Sequence, residues 1–452
     1  MIIGSDFEIA STSGASFGAV NPYLLDSIVR LSDVFEVTAS SDIYDDKNIT
    51  LWSVGAPVSR TLYERVHGQR LRHPLEASLE IGDGVSMSSA IRDCLALIER
   101  HQALKALAGR RAVLDMLNGL RSMALPEPLR LLLTSARELR PRDYEGSLAA
   151  MIVSAGLARH AGFSERDAGH LMLAALVADI GEMYINPELL DGTRELRHWE
   201  WQTIAWHPCV GEEFLKEFTR FPAAVTDGVL RHHERFDGHG YPFQVRGERL
   251  GVTHTMLGAA DTVAAIVMRG GAGLADRVSV ALHILPGEFP PPVVRLVTNM
   301  LEDLDETQPY RRSGEIAECI LPELERLRAA KHEAMNLMED EHGLAVNNAA
   351  EMALNLLLRI DQSLGAARVH DLLRRRTPED DPTIVSMIRM IPDEIAWRLR
   401  HLARNVYLDA EQSGNPQDLA ALANLLALLA PMPAAANRNL FRFDVRERHS
   451  AW

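Results

Sequence analysis

The sequence predicts a mainly α protein, with a small strand-bearing N-terminal domain, a helical bundle and a helical C-terminal extension. Three observations carry this. Short β-branched and aromatic runs are confined to the first 85 residues. From Ser88 onward, apolar residues recur at helical spacing. No apolar run approaches the ~20 residues of a membrane span; the longest, LAALANLLALLA at 419–430, suits a packed helix. A chain of 452 residues, 47% of them hydrophobic, suits two or three domains with real cores.

In chain order, the first ~30 residues are weakly patterned and read as an extension. FEVTASSDIYDDKNITLWSVGAPVS (35–59) reads as two strands and a hairpin, and LEASLEIGDGV (75–85) as a further alternating strand. Residues 1–85 are therefore expected to form a small mixed α/β domain. Ile91, Leu95, Leu97, Ile98, Leu114, Leu117 and Leu120 then fall at helical spacing. Pro126 and Pro128 sit where a helix begins, a place where a missing amide donor does no harm. Residues 86–140 are expected to be a helical connector.

Residues 141–300 form the expected central domain. The Ala- and Leu-rich stretches 151–158 and 171–178 suit buried helices, and 220–235 and 251–268 read as further helices. In the extension, 301–452, segments 315–342 and 347–364 have apolar stripes with charged backs, a pattern compatible with a homodimer. RRRTPEDDPT (374–383) reads as a loop, 384–430 as a final helical pair, and the last ~20 residues as loose.

Charge narrows the function classes. A formal net charge of −15 argues against nucleic acid and against an anionic membrane surface, so an anionic ligand needs a local constellation. Cys94, Cys209 and Cys319 are far apart and odd in number, which predicts reduced thiols and a cytoplasmic protein. The N-terminus lacks a basic head followed by an apolar block, so no signal peptide is expected.

The chemistry concentrates in the central domain. A metal at a hydrolytic centre needs imidazole and carboxylate ligands converging from several helices. Asp179 at a helix end, His207 at a helix start, the pair His232 and His233, and Asp261 among alanines in mid-helix can supply them. Taken singly, each has an ordinary explanation as a capping, surface or turn residue. Adjacent histidines on a helix point ~100° apart, which predicts contact with different ions, or with one ion and one phosphate. Arg235, Arg246 and Arg249 surround the turn that follows.

The order of these residues resembles the HD-GYP family, helical phosphodiesterases that hydrolyse cyclic di-GMP at a two- or three-metal centre. HHERFDGHGYP (232–242) is close to the family's signature loop. ADIGEMYINPELL (178–190) resembles its HD segment, HPCVGEEFL (207–215) its next metal-binding segment, and LGAADTVAAI (257–266) the helix whose aspartate closes the site. The resemblance implies an all-α HD-type bundle over roughly 141–300 and metal ligands at Asp179, His207, His232, His233 and Asp261. It also implies a ligand or docking loop comprising Arg235, Asp237, Gly238, Gly240, Tyr241 and Pro242, with diguanylate cyclase (GGDEF) proteins as partners and Tyr241 as the aromatic anchor.

Departures from the family pattern are equally specific. Ala178 stands in place of the HD histidine and Glu182 in place of a lysine. Gly146, or Glu145 if the count shifts by one, stands in place of an earlier histidine. Ala264 replaces a second aspartate, and GGAGL (270–274) replaces a basic run for which only Arg269 can stand in. Lost donors and a reversed charge weaken both metal binding and stabilisation of developing phosphate charge. Three readings follow. The first is a degenerate HD-GYP protein with one divalent ion (Fe, Mn or Ni) or none, acting as a cyclic di-GMP receptor or docking module. The second is a working phosphodiesterase in which Glu145 or Glu182 replaces a ligand, with Asp179 in a catalytic role. The third is a purely structural scaffold.

Overall fold

The computed structural model describes residues 19–108, 111–191, 198–269, 274–283, 285–301, 314–339, 342–366 and 413–430, with separate positions between 391 and 410. The predicted loop at 374–383, the stretch 270–273, the last ~20 residues and part of the expected pair at 384–430 lie outside the described residues.

The expected N-terminal extension contains a helix, α1 (Pro22–Leu31). Asn21 caps it by accepting from the amides of Tyr23 and Leu24, Pro22 opens it, and Leu24, Leu25, Ile28 and Leu31 are buried. A ten-residue helix offers few apolar repeats, so its Asn-Pro start was the main local signal. Strands β1 (Val37–Ala39), β2 (Ile43–Tyr44) and β3 (Thr50–Trp52) follow, then α2 (Arg60–Val66) and β4 (Leu79–Ile81), which leaves a 3-10 turn at Leu75–Ser78. The predicted hairpin is β2–β3. β4 pairs instead with β1, antiparallel, with Val37 opposite Ile81 and Ala39 opposite Leu79. All four of those side chains are buried while Glu80 faces out, the period-2 pattern of a half-buried strand.

From there the described chain is helical. The helices are α3 (Met87–Arg100), α4 (Gln102–Ala108), α5 (Arg111–Gly119), α6 (Glu127–Leu139), α7 (Pro141–His160), α8 (Glu165–Val177), α9 (Pro187–Leu190) and α10 (His198–Ala205). They continue as α11 (His207–Phe218), α12 (Ala223–Arg231), α13 (Val252–Met268), α14 (Leu274–His283), α15 (Pro291–Leu301), α16 (Gly314–Glu339) and α17 (Leu344–Ala366). Two short helices, α18 (Pro416–Ala421) and α19 (Ala423–Leu429), divide the 419–430 run, expected as one helix, at Leu422.

α7 is the axis of the bundle. It is buried continuously from Leu148 to Ala158 and packs against α8, α13, α6 and α15, as a helix apolar on every side must. Its small residues, with those of α8 and α13, let these backbones come close. One apolar core runs from Leu24 to Leu301, so the strands, residues 86–140 and the central helices share it. A second core runs from Val280 to Leu429. No described helix is long and apolar enough to cross a membrane.

Candidate metal centre

α8 stays buried to Val177, Ala178 caps it, and Asp179 leads into a 3-10 turn over Ile180–Tyr184. That turn lies hard against the start of α11. A Cβ on Gly181 would fall 2.1 Å from the carbonyl oxygen of His207, so only glycine permits the approach. His207 is thereby fixed inside the protein, 1% exposed. α12, predicted to reach 235, ends at Arg231 because the chain turns at His232.

Four of the five expected ligands converge. Asp179, His207, His232 and His233 each present one ligand atom within 4.8 Å of the others. Nε2 of His207 lies 3.3 Å from Nε2 of His232, and Oδ1 of Asp179 lies 3.3 and 3.4 Å from these nitrogens. The His232 and His233 rings are 3.9 Å apart by their centroids. The adjacent histidines lie past the end of α12, so the helical separation expected of them does not apply, and both offer a ligand atom to this group.

Tautomers follow from the hydrogen bonds. Nδ1 of His207 donates to the Ile204 carbonyl at 2.8 Å, and Nδ1 of His232 donates to the Val229 carbonyl at 2.6 Å. Both Nε2 lone pairs then face one another, an arrangement that requires a proton or a cation between them. Burial opposes charge on His207, but Asp179 and Glu182 outweigh it and raise its pKa. Burial, with His232 and His207 alongside, drives His233 well below the ordinary range. Desolvation opposes charge on half-buried Asp179, yet the His207 and His232 imidazoles beside it outweigh that and hold it well below the usual carboxylate value. Three imidazoles and one carboxylate suit a borderline divalent ion such as iron, manganese or nickel.

Asp261 lies outside this four-residue group. It lines a cavity beside the cluster, together with Asp179, His232, Gly146, Ala178 and Ala264. Three departures from the family pattern therefore share a wall with two of the ligands. The suggested substitutes do not reach the cluster: Glu182 is bonded to Arg140, and Glu145 pairs with Arg100 at 2.9 Å on the surface. Arg269 follows α13 as its cap and does not line the cavity.

The signature loop is turned inward. Arg235 is buried; its Nη1 donates to the carbonyls of His232 and Glu234 at 3.0 Å each, and its Nε to Glu288 at 3.2 Å. Asp237 accepts from the amide of His239 at 3.0 Å and from Arg359 at 2.8 Å. Tyr241, joined to Pro242 by a cis peptide, stacks on His233 with centroids 4.5 Å apart. Gly238 has φ +83°, and a Cβ on Gly240 would lie 2.4 Å from the carbonyl oxygen of His233. The two glycines therefore let the loop fold back onto the histidines. Arg235, expected to face a ligand, is instead buried in these contacts; Tyr241 is half-buried against His233, and Phe243, 53% exposed, points outward.

Sequence reasoning missed the residues that set this loop. Glu234 accepts from the amides of Phe243 and Val245 at 2.7 and 2.8 Å. Glu288 is buried between Arg235 and Arg398, the latter supplied by the extension. Only Glu234, beside the paired histidines, carried a local hint.

Comparison with known proteins agrees with this geometry. Residues 96–288 match the HD domain family. The match covers less than half of the chain and includes all four residues of the cluster. The chain is 32% identical over 158 residues to the cyclic di-GMP phosphodiesterase PA4108 of Pseudomonas aeruginosa, covering 34% of this chain and 37% of that protein. It is 32% identical over 137 residues to the cyclic di-GMP phosphodiesterase response regulator RpfG of Xanthomonas campestris pv. campestris, covering 30% and 36% respectively. It is 30% identical over 105 residues to 3'3'-cGAMP-specific phosphodiesterase 3 of Vibrio cholerae, covering 23% of each. The match thus spans little more than a third of these relatives at most.

Proposed function

We propose that this HD-GYP protein binds a cyclic dinucleotide, cyclic di-GMP first, at a one-ion centre and hydrolyses it slowly or not at all. It would then act in cyclic di-GMP signalling as a receptor or docking module. The observation that carries this reading is the composition of the site. His207, His232, His233 and Asp179 suffice for one ion, whereas the adjoining cavity presents Gly146 and Ala178 where further donors would have to stand. A divalent ion held there would polarise a phosphoryl oxygen. The protein's part is to orient the imidazoles through the Ile204 and Val229 carbonyls and to shield them beneath Tyr241.

A working phosphodiesterase with an altered metal set is the second reading. It is weaker because Glu145 and Glu182, its substitute ligands, are engaged by arginines. One incubation of metal-supplemented protein with cyclic di-GMP, read for bound ligand and linear product, separates the two. Bound ligand without product is expected; turnover near once per second, ordinary for an enzyme, would put the phosphodiesterase first. GGDEF proteins remain the proposed partners of the loop, with Phe243 in place of Tyr241 as the contact.

A further inference from the structure

We propose that Arg142 supplies the positive charge that receives a phosphate in the cavity beside the ion centre. This rests on the one-ion reading above. Arg142 stands in the first turn of α7 and lines the same cavity as Asp179, His232 and Asp261. It is the only lysine or arginine among the described lining residues. It is exposed and has no hydrogen bond or ion pair with any described residue, in contrast to Arg140 two positions earlier, which is spent on Glu182 and Asp143.

The chemistry of the cavity gives this cation a role. Its walls are mostly small, and its polar lining carries two carboxylates. An anion entering such a space meets repulsion unless a cation stands on each side of it. The histidine cluster offers one position for positive charge; Arg142 offers the other. A guanidinium presents a planar fork of N–H donors that matches two phosphate oxygens, so it can take a phosphate bidentately without any additional ion. The ligand class is a phosphodiester or phosphate monoester, with one oxygen directed to the cluster and two to Arg142. The carboxylate of Asp261, also in the lining, disfavours a second anionic group.

The test uses the full chain loaded with Mn²⁺ and titrated with inorganic phosphate and, separately, with cyclic di-GMP, while bound metal is measured by elemental analysis. Arg142→Ala is expected to weaken both ligands by about 10-fold or more, the scale of a lost charge-assisted bond. Metal content and melting temperature should not change. Arg142→Lys should recover part of the affinity, because it restores the charge but not the fork. Equal phosphate affinity in Arg142→Ala and the native protein would overturn the assignment. A native protein that retains no metal would instead sink the one-ion reading, a result visible in the elemental analysis alone.

Discussion

Arg359 and Asp237 are 122 residues apart in sequence and 2.8 Å apart in space. Arg398 makes a second tie of this kind: it holds Glu288, with Nη1 3.0 Å from Oε1 and Nη2 2.9 Å from Oε2, and Glu288 in turn holds Arg235. Arg235 supports the carbonyl of His232. The C-terminal extension thus reaches the metal loop through charged contacts, two of them buried.

Arg398→Met should expose the cost of that arrangement. Glu288 would remain buried with one cation fewer, and breaking a buried pair from one side is expensive. A loss of about 2–4 kcal/mol in urea unfolding is expected, with weaker metal retention because the loop relaxes. Unchanged stability and unchanged metal content would show that the tie contributes nothing.

Gly181→Ala should damage the centre from beneath. Its methyl group would have to displace the His207 backbone, moving a ligand as well as straining the turn. The expected loss is about 2–4 kcal/mol, with bound metal falling in parallel. Gly119→Ala is the control, since nothing lies within 4 Å of its added Cβ. It should stay within about 0.5 kcal/mol of the native protein.

Glu76 predicts a pH effect away from the centre. Burial raises its pKa, only partly offset by the hydrogen bond from the Tyr184 hydroxyl at 2.6 Å. Its contribution to stability is therefore fully present below the ordinary carboxylate range and is lost as pH rises through its raised folded value. Glu76→Gln keeps an acceptor for Tyr184 without the buried charge. It should be nearly neutral at pH 4.5 and stabilising at pH 8, each an order-of-magnitude choice around the carboxylate range. Thermal melts at both values check this, and a constant difference would contradict the assignment.

Gly146→His combined with Ala178→His should raise bound metal from one ion per chain toward two. Both positions line the cavity that Asp179 shares with the cluster. Glu182 is best left native, because a lysine there would face Arg140. Elemental analysis decides, and a stoichiometry held at one would mean that these two positions do not limit metal binding.

Much of the fold and the centre was legible in sequence because those signals are local. α7 and α8 announce themselves by runs of alanine and leucine, and His207, His232 and His233 by residue type and order. α1 escaped because it is short. The pairing of β4 with β1 rather than with the hairpin escaped because a strand's pattern states which face is buried, not which neighbour it meets. Glu288 and Arg398 escaped for a related reason: each looks like an ordinary surface charge until folding brings them together. The inward turn of Tyr241 depends on the space at Gly240, which no periodicity reports.

The cavity walls have one more implication. Gly146, Ser147, Ala150, Ala175, Ala178 and Ala264 line it, and none carries a bulky group that must be rebuilt before a larger side chain enters. The architecture therefore does not lock the chain into a single metal complement. Few changes separate one metal complement from another, and the surrounding helices accommodate either without being redrawn.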